Sequence, residues 1–327
     1  MGRLPVAPPG VTAAVEVRTG VGVMGEPVVA VDVGGTKLAA AVVTADGRYA
    51  AGPFTLPSGR DTSGRELADR VHALIRRCRE HGGGTRIGVA AAGPFSAPGR
   101  LSPVNLDGWE DFPLADEIAE RNPDADVAMI NDGLAMATAE YWLGAARDQR
   151  SSIGIVTSTG VGGGVIVDGR PLLGATGNAG HIGHMIVEPD GPPCPCGARG
   201  CTEAVASGTA AVAYARARGW SPAGEADGRA LAADARRGVA PAMAAFDRAG
   251  RGLALAIVGA VALVDVEIVT VGGGFAATGD LLLTPLRRSL AELAALPFIR
   301  DVPVVPAALG PEASLKGAAA TFFTTDP

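Results

Sequence analysis

The sequence lacks any segment that is long and apolar enough to span a bilayer. Its longest apolar run, Leu253–Val264, lies between Arg251 and Asp265 and indicates a buried helix instead. The first residues, Met1–Pro27, have no apolar core of the kind found in signal peptides and are broken by proline and glycine. We interpret them as a frayed extension or a start codon placed too far upstream, and predict a cytoplasmic protein.

The sequence also has no excess of positive charge. The 28 Lys and Arg residues stand against 34 Asp and Glu residues, a net charge of -6. This balance argues against nucleic acid or an anionic membrane as the main partner. With 47% hydrophobic and 19% charged residues, the 327-residue chain is typical of a soluble globular protein and predicts two lobes rather than one.

Cysteine is scarce, and three of the four cysteines fall in one segment, Gly177–Glu203. This segment reads GNAGHIGHMIVEPDGPPCPCGARGCTE. Cys194, Cys196 and Cys201, with His184 ten residues upstream, supply the four soft or borderline donors that a structural Zn²⁺ prefers. The many Gly and Pro residues allow so short a segment to fold around one ion, and a metal clamp would hold its irregular shape.

A pair of disulfides is the alternative for these cysteines. Two bonds would require Cys78 as the fourth partner. Nothing in the sequence suggests an oxidising compartment, so we favour zinc.

A strand–glycine turn–strand pattern occurs twice. Val28–Val33 and Leu38–Val43 flank Gly34-Gly35-Thr36-Lys37, and Ile153–Thr157 and Val165–Val167 flank Ser158–Gly164. The repeat suggests an internal duplication and an α/β fold with a cleft between lobes. Further strands are predicted at Arg86–Ala92, Val127–Ile130, Glu267–Val271 and Val302–Pro306. Helices are predicted at Arg65–His81, Gly133–Leu143, Glu203–Arg218, Gly228–Arg237, Pro241–Val264, Gly279–Ala295 and Glu312–Phe323.

Asp32 ends the first buried strand beside the turn glycines. A carboxylate next to exposed backbone N–H groups suits a hydrated Mg²⁺ and its phosphate. Lys37 either adds a point charge or is simply solvated. The alternative is an ordinary hairpin with an Asp at its turn.

Two more glycine-rich turns, Ser158–Gly164 and Gly272–Gly274, also follow strands. Neither is a Walker A loop or a dinucleotide fingerprint. Glycine beside a strand often marks close approach of the backbone to a ligand, so the three turns together favour a nucleoside triphosphate.

Asn131-Asp132 lies where a strand ends and a helix begins. Asp132 is either an N-cap or, in a cleft that holds phosphates, the general base for a substrate hydroxyl.

These motifs together resemble the ROK family of sugar kinases and repressors. The residues that carry the likeness are DVGGTK, the strand into Asn131-Asp132, STGVGGG, and AGHIGH followed by CPCGARGCTEAVASG. The resemblance covers the chain from about Val28 to its end. It implies an actin-like, ribonuclease-H-like α/β fold in two lobes, and transfer of the ATP γ-phosphoryl group to a hexose hydroxyl, usually O6. Mg²⁺ and a structural zinc are the implied metals.

The resemblance also implies roles for single residues. Asp132 matches the catalytic base, and the zinc ligands match His184, Cys194, Cys196 and Cys201. Sugar contacts match Gly93, Asn105, Asn131, His184 and Glu203, with His181 added for the reason given below. The ATP-binding motifs match Asp32, Gly34, Gly35, Thr36, Thr159, Gly160, Gly273 and Gly274, with Lys37 beside them. Zinc would fix the loop that presents His184 and Glu203.

His181 departs from the family pattern, because most family kinases have Glu-x-Gly-His where this chain has His181-Ile182-Gly183-His184. An imidazole offers one donor and one acceptor where a carboxylate only accepts, so the hydroxyl pattern recognised there should differ. Alternatively, His181 makes no sugar contact. The motifs are similar to those of bacterial N-acetylmannosamine kinases, whereas glucokinases of the family keep the glutamate. We therefore expect an amino or N-acyl hexose such as N-acetylmannosamine, then glucose, then a glucose-like amino sugar or cyclitol of specialised metabolism.

Two other functions remain as alternatives. Repressors of the family carry a winged helix–turn–helix, and Met1–Pro27 is too short and of the wrong composition for one. A non-catalytic sugar sensor is the second alternative. We expect sugar and ATP as partners, a homodimer or homotetramer, and no nucleic acid or membrane. The expected domains are an extension over residues 1–27, an N-terminal lobe over 28–131, and a C-terminal lobe over 132–311 with its zinc loop at 184–201. A C-terminal helix over 312–325 is expected to pack back on the N-terminal lobe.

Overall fold

The computed structural model describes residues 25–59, 62–104 and 107–324. These residues form two compact units. The first contains the chain up to Asn131, residues 173–178, and the chain from Thr321 onward; the second contains residues 132–172 and 179–320.

The first unit is built on a five-stranded sheet with the order β3-β2-β1-β4-β7. Its strands, with a separate two-stranded hairpin, are β1 (Val28–Val33), β2 (Lys37–Val43), β3 (Tyr49–Pro57), β4 (Arg86–Ala91), β5 (Phe95–Ala97), β6 (Arg100–Leu101) and β7 (Asp126–Asn131). β1, β4 and β7 are parallel, and β2 and β3 extend the sheet antiparallel. The helices α1 (Gly64–Glu80) and α2 (Leu114–Arg121) bury apolar faces in the core of this unit.

The second unit contains another five-stranded sheet, with the order β10-β9-β8-β11-β12. Its strands are β8 (Ser152–Thr157), β9 (Val161–Val167), β10 (Arg170–Pro171), β11 (Ile268–Gly272) and β12 (Val304–Pro306). Its helices are α3 (Asp132–Leu143), α4 (Thr202–Ala206), α5 (Gly208–Arg216), α6 (Gly228–Arg236), α7 (Ala240–Val264), α8 (Asp280–Leu293), α9 (Pro297–Arg300) and α10 (Ala313–Ala320). α7 supplies many of the side chains of a second hydrophobic core.

The two sheets have the same strand order and the same strand directions. In each, an antiparallel meander of three strands is followed by two parallel strands on the other side of its first strand. This is the arrangement that the repeated strand–turn–strand pattern of the sequence predicted.

Two details of the secondary structure differ from expectation. β3 is absent from the sequence-based prediction because Pro53 and Pro57 interrupt its pattern, and an edge strand tolerates proline. The helix expected at Glu203–Arg218 is divided at Ser207. The Ser207 hydroxyl accepts a hydrogen bond from the Ala210 N–H at 3.1 Å and so starts a second helix, α5.

The C-terminal helix also differs from expectation. The sequence indicated a helix over 312–325 that packs back on the N-terminal lobe, but α10 ends at Ala320 and belongs to the second unit, where it packs on α3. A Cβ on Gly317 would overlap the carbonyl oxygen of Ala135, so the helices approach closely at a residue without a side chain. Only the chain from Thr321 groups with the first unit.

No helix in the described ranges combines the length and apolar character needed to cross a bilayer. The apolar run Leu253–Val264 forms the second half of α7, which agrees with its interpretation as a buried helix.

Candidate functional site

One edge of the first sheet brings several predicted site residues together. β1, β4 and β7 are parallel, and Val33 pairs with Ala91, which in turn pairs with Asn131. Asp32 precedes the first member of this row and is half-buried, whereas Asn131 is buried. Gly93 follows two residues after the end of β4. The carboxyl ends of parallel strands in α/β sheets are common ligand sites, so this edge is a candidate binding site.

The turn after β1 is compact and faces solvent. The Gly34 N–H donates to the Lys37 carbonyl at 3.2 Å, and the Ser58 hydroxyl donates to the Gly34 carbonyl at 2.5 Å. Thr36 and the Lys37 side chain are exposed. The turn is therefore open to a ligand, and Gly34 and Gly35 place no side chain over its backbone.

The equivalent turn of the second sheet lies beside another glycine-rich segment. The Phe275 N–H donates to the Thr157 carbonyl at 3.0 Å, and β8 and β11 pair in parallel up to Val156 and Gly272. Gly273 has a φ of 95°, and a Cβ there would collide with the Thr157 backbone. Glycine is thus required for this contact, which brings the predicted Thr159-Gly160 and Gly273-Gly274 segments to one edge.

Asp132 is the first residue of α3, directly after the buried Asn131. Its side chain is exposed, and its Oδ1 accepts a hydrogen bond from the Gly133 N–H at 2.7 Å. A Cβ on Gly133 would collide with the Gly163 backbone, so the start of α3 packs directly on β9. This close packing fixes the backbone from which Asp132 projects.

Four side chains predicted as zinc ligands form a cluster: His184, Cys194, Cys196 and Cys201. Their ligand atoms all lie within 4.8 Å of one another. The Cys194 sulphur is 3.8 Å from His184 Nδ1, and the Cys196 and Cys201 sulphurs are 3.7 Å apart. A tetrahedral site with Zn–S bonds of about 2.3 Å has sulphurs about 3.8 Å apart, so the donor set and its spacing fit Zn²⁺.

The same distances argue against the disulfide alternative. The 3.7 Å between the Cys196 and Cys201 sulphurs is far longer than an S–S bond, and all four cysteines are free thiols. Cys78 is buried in the core of the first unit. Burial raises the pKa of the Cys201 thiol to about 12, so metal binding there must release protons.

Backbone hydrogen bonds hold the shape of the segment over residues 184–201, here called the zinc-type loop. The Val187 and Glu188 N–H groups both donate to the Gly200 carbonyl, at 2.9 and 3.1 Å, and the Gly200 N–H donates to the Pro192 carbonyl at 2.8 Å. A Cβ on Gly200 would overlap the Glu188 carbonyl oxygen. The turn glycines of this segment therefore allow the chain to double back and bring the cysteines together.

The remaining predicted residues lie at the two ends of this loop. The imidazoles of His181 and His184 are stacked, with ring centroids 6.1 Å apart and an interplanar angle of 20°. Glu203 lies in α4, two residues after Cys201, and its Oε2 accepts a hydrogen bond from the Val161 N–H at 3.0 Å. The cluster, both histidines and Glu203 are thus parts of one continuous segment. Asn105 lies outside the described residues.

Two residues that the sequence analysis missed support these elements. The Asn178 amide exchanges two hydrogen bonds with the Phe95 backbone, at 2.9 and 2.8 Å, next to Gly93. The Glu140 carboxylate on α3 is fully buried and accepts backbone N–H groups from three residues, Ala145, Ala308 and Leu309. The sequence gives one indication that Glu140 is buried, namely its position in a run of small and apolar residues.

Comparison with known families identifies the fold. The profile of the ROK family matches residues 28–324. The chain belongs to the ROK family. The membership predicted from the motifs is therefore confirmed, as is the mixed α/β, actin-like fold of these proteins.

Two similar curated proteins and one solved structure are named kinases. An N-acetylmannosamine kinase from Yersinia pseudotuberculosis is 39% identical over 295 residues, covering 89% of this chain and 96% of its own. A glucokinase from Thermotoga maritima is 33% identical over 311 residues, and the match covers 89% of this chain and 95% of the glucokinase. The crystal structure of a ROK family glucokinase from Streptomyces griseus in complex with glucose and AMPPNP matches this chain at 32% identity with a TM-score of 0.77. The match covers 90% of this chain and 98% of the glucokinase. The predicted enzyme class, a ROK kinase, is confirmed.

Proposed function

We propose that this protein transfers the γ-phosphoryl group of ATP to a hexose hydroxyl, O6 by preference. The observation that carries the proposal is Asp132 at the start of α3, directly after Asn131 at the same sheet edge as Asp32. An exposed carboxylate that follows a strand end suits a general base for a substrate hydroxyl. Relatives of nearly the same length that are named kinases, one of them solved with glucose and an ATP analogue, support it.

Each group has a separate task in this proposal. Asp132 accepts the proton of the sugar hydroxyl as that oxygen attacks the γ-phosphorus; the bond from the γ-phosphorus to the β–γ bridging oxygen breaks and ADP leaves. Asp32 would hold a hydrated Mg²⁺, which would neutralise phosphate charge. The glycine turns at Gly34-Gly35, Thr159-Gly160 and Gly273-Gly274 would approach the nucleotide with their backbone. Positioning and charge stabilisation then supply most of the rate enhancement.

The zinc ion would be structural. His184, Cys194, Cys196 and Cys201 would hold it, and the charge and geometry of their donor atoms fit this ion. Bound there, zinc supplies a rigid crosslink and no reaction step. The crosslink fixes the segment that carries His181, His184 and Glu203, to which we assign the sugar contacts together with Gly93, Asn105 and Asn131.

We favour an amino or N-acyl hexose, N-acetylmannosamine first, as the substrate. His181 supports this choice because its ring presents one donor and one acceptor to sugar hydroxyls. The 39% identity to an N-acetylmannosamine kinase supports it as well. Glucose is the next candidate because of the glucokinases among the relatives, and a glucose-like amino sugar or cyclitol follows.

A coupled ADP-release assay decides the substrate. The panel is glucose, mannose, glucosamine, N-acetylglucosamine, N-acetylmannosamine and kanosamine. We expect the highest kcat/KM for N-acetylmannosamine, and phosphorus NMR of the product identifies the hydroxyl that is phosphorylated. Equal, background-level ADP release with every sugar would contradict the kinase proposal and favour a non-catalytic sensor.

A sugar-responsive repressor is the rival from another class, because the family name covers both functions. The intact Asp132 and DVGGTK motif favour the enzyme. A gel-shift assay with genomic fragments tests the rival, and we expect no sequence-specific retardation. A specific shift that the sugar relieves would establish the repressor instead.

We further propose a cytoplasmic homodimer or homotetramer. The outer face of α7 supports an oligomer, because Leu263 on this face is 86% exposed. Gly259, one turn before Leu263, lies next to the Met185 side chain, and the neighbouring Ile186 is 59% exposed. An exposed apolar patch of this kind is typical of an interface. Light scattering should give a multiple of the chain mass, which Leu263→Glu should reduce.

A further inference from the structure

A cavity of about 820 Å³ lies within the second unit, between the zinc-type loop, α5, α7 and α8. None of the residues assigned above to sugar, nucleotide or zinc lines it. Its volume suits a small metabolite. Five arginines and four carboxylates dominate the lining: Arg199, Arg218, Arg248, Arg251 and Arg288, with Glu188, Asp190, Asp247 and Glu292.

Two ion pairs neutralise part of this charge. Arg248 binds Glu188 with two hydrogen bonds, at 2.7 and 3.1 Å, and Arg288 Nη2 donates to Asp247 Oδ1 at 2.8 Å. The other five charged side chains form no ion pair or hydrogen bond within the described ranges. They are three arginines, Arg199, Arg218 and Arg251, and two carboxylates, Asp190 and Glu292. Three positive charges against two negative ones leave the cavity with one net positive charge.

Arg218 is oriented without an ion pair. Its guanidinium carbon lies 3.5 Å from the centroid of the Tyr214 ring, and Arg248 lies 4.7 Å from the same centroid. A guanidinium that stacks on an aromatic ring keeps its N–H donors in the plane available for other partners. Arg218 is therefore a restrained cation whose fork of donors suits an oxyanion.

We propose that this cavity binds a sugar phosphomonoester. Arg218 and Arg251 would bind the phosphate, which accepts paired N–H donors from guanidinium groups. The carboxylates of Asp190 and Glu292 would accept hydrogen bonds from sugar hydroxyls. The same two carboxylates would repel the clustered charges of a nucleoside triphosphate, so the mixed lining favours one phosphate on a polyhydroxylated ring.

The cavity shares a wall with the zinc-type loop. Glu188, Asp190 and Arg199 all lie between the ligands His184 and Cys201 along the chain. A ligand that engages these residues biases the loop that presents His184. If the proposed sugar kinase activity is correct, a sugar phosphate of the product class would thus inhibit from outside the sugar site by weakening sugar binding.

Calorimetric titration of the full-length protein with glucose 6-phosphate and N-acetylmannosamine 6-phosphate tests the binding proposal. Arg218→Gln and Arg251→Gln should each weaken the affinity about tenfold, because a charge-assisted hydrogen bond is lost. Arg216→Gln is the matched control, since Arg216 is exposed at the end of α5, two residues before Arg218, and does not line this cavity. Arg218 and Arg251 are also exposed, so the variants should melt at the wild-type temperature.

Unchanged affinity in both variants would overturn the proposal. So would an Arg218-dependent site that binds ATP or inorganic phosphate more tightly than either sugar phosphate. This titration needs no turnover, and the Arg218 and Arg251 variants separate binding in this cavity from binding of the same compounds as products at the proposed kinase site. In active enzyme, inhibition by the sugar phosphate should be about tenfold weaker in Arg218→Gln than in the wild type. Inhibition that Arg218→Gln leaves unchanged would overturn the link to the zinc-type loop.

Discussion

The Glu203 carboxylate accepts a hydrogen bond from the Val161 backbone N–H, at 3.0 Å. This bond joins α4 to the first residue of β9, directly after the glycine-rich turn. The family resemblance assigns that turn to ATP binding and Glu203 to sugar binding. The Gly160 backbone passes so close to the Glu203 carboxylate that a Cβ would collide with it. The turn therefore positions a residue proposed to bind the other substrate.

Gly160→Ala should weaken sugar binding. The added methyl group displaces the Glu203 carboxylate, and we expect the KM for the sugar to rise about tenfold with little change in kcat. Gly162→Ala is the control two residues away, because its Cβ would meet nothing closer than the Gly133 Cα at 4.0 Å. Steady-state kinetics compare the two variants, and equal KM values would contradict the proposed role of this contact.

Asp132→Asn should lower kcat by about a thousandfold, within the range that general base catalysis supplies. Sugar binding, measured by titration calorimetry, should change little, since an amide retains most of the polar contacts of a carboxylate. Asp126→Asn is the control, because Asp126 is exposed at the opposite end of the preceding strand, β7. Near-normal turnover by Asp132→Asn would remove Asp132 from the role of base.

The purified protein should contain about one zinc ion per chain, because the described residues hold one cluster of four His and Cys donors. Cys194→Ser should lose the metal and melt at a lower temperature, because Cys194 is a buried member of the proposed zinc site in a segment with little packing of its own. Mass spectrometry of the metals and thermal denaturation measure both effects. Cys78→Ser, which changes a buried cysteine outside the cluster, should keep its zinc; equal zinc content in both variants would contradict the ligand assignment.

Glu140→Gln should lower the free energy of unfolding by about 2–3 kcal/mol. The carboxylate is fully buried and accepts backbone N–H groups from Ala308 and Leu309, after β12, and from Ala145, after α3. An amide cannot accept with both terminal atoms, so at least one buried N–H loses its partner. Urea denaturation measures the loss. Glu225→Gln, at an exposed position, should leave the unfolding free energy unchanged; an equal effect there would refute this account.

Some elements were accessible from sequence because their signals are local. The alternation of β1 and β2 and the apolar face of α1 are produced by neighbouring residues, and the structure places them within one or two residues of the prediction. β3 was missed because an edge strand with two prolines has little buried pattern. The division of one expected helix at Ser207 was missed because Ser and Gly occur both inside helices and at their ends.

The amino-acid sequence by itself determined the donor set of His184 and three cysteines, the glycine turns and the family, because each depends on residues close together in the chain. Tertiary structure alone decided three other features. Glu203 meets Val161, Glu140 meets Leu309, and the arginines of the 820 Å³ cavity converge from separate segments. These contacts join residues far apart in sequence, and no local periodicity or propensity encodes such pairings. Glu203 thus had a predicted role before the structure showed which backbone holds it.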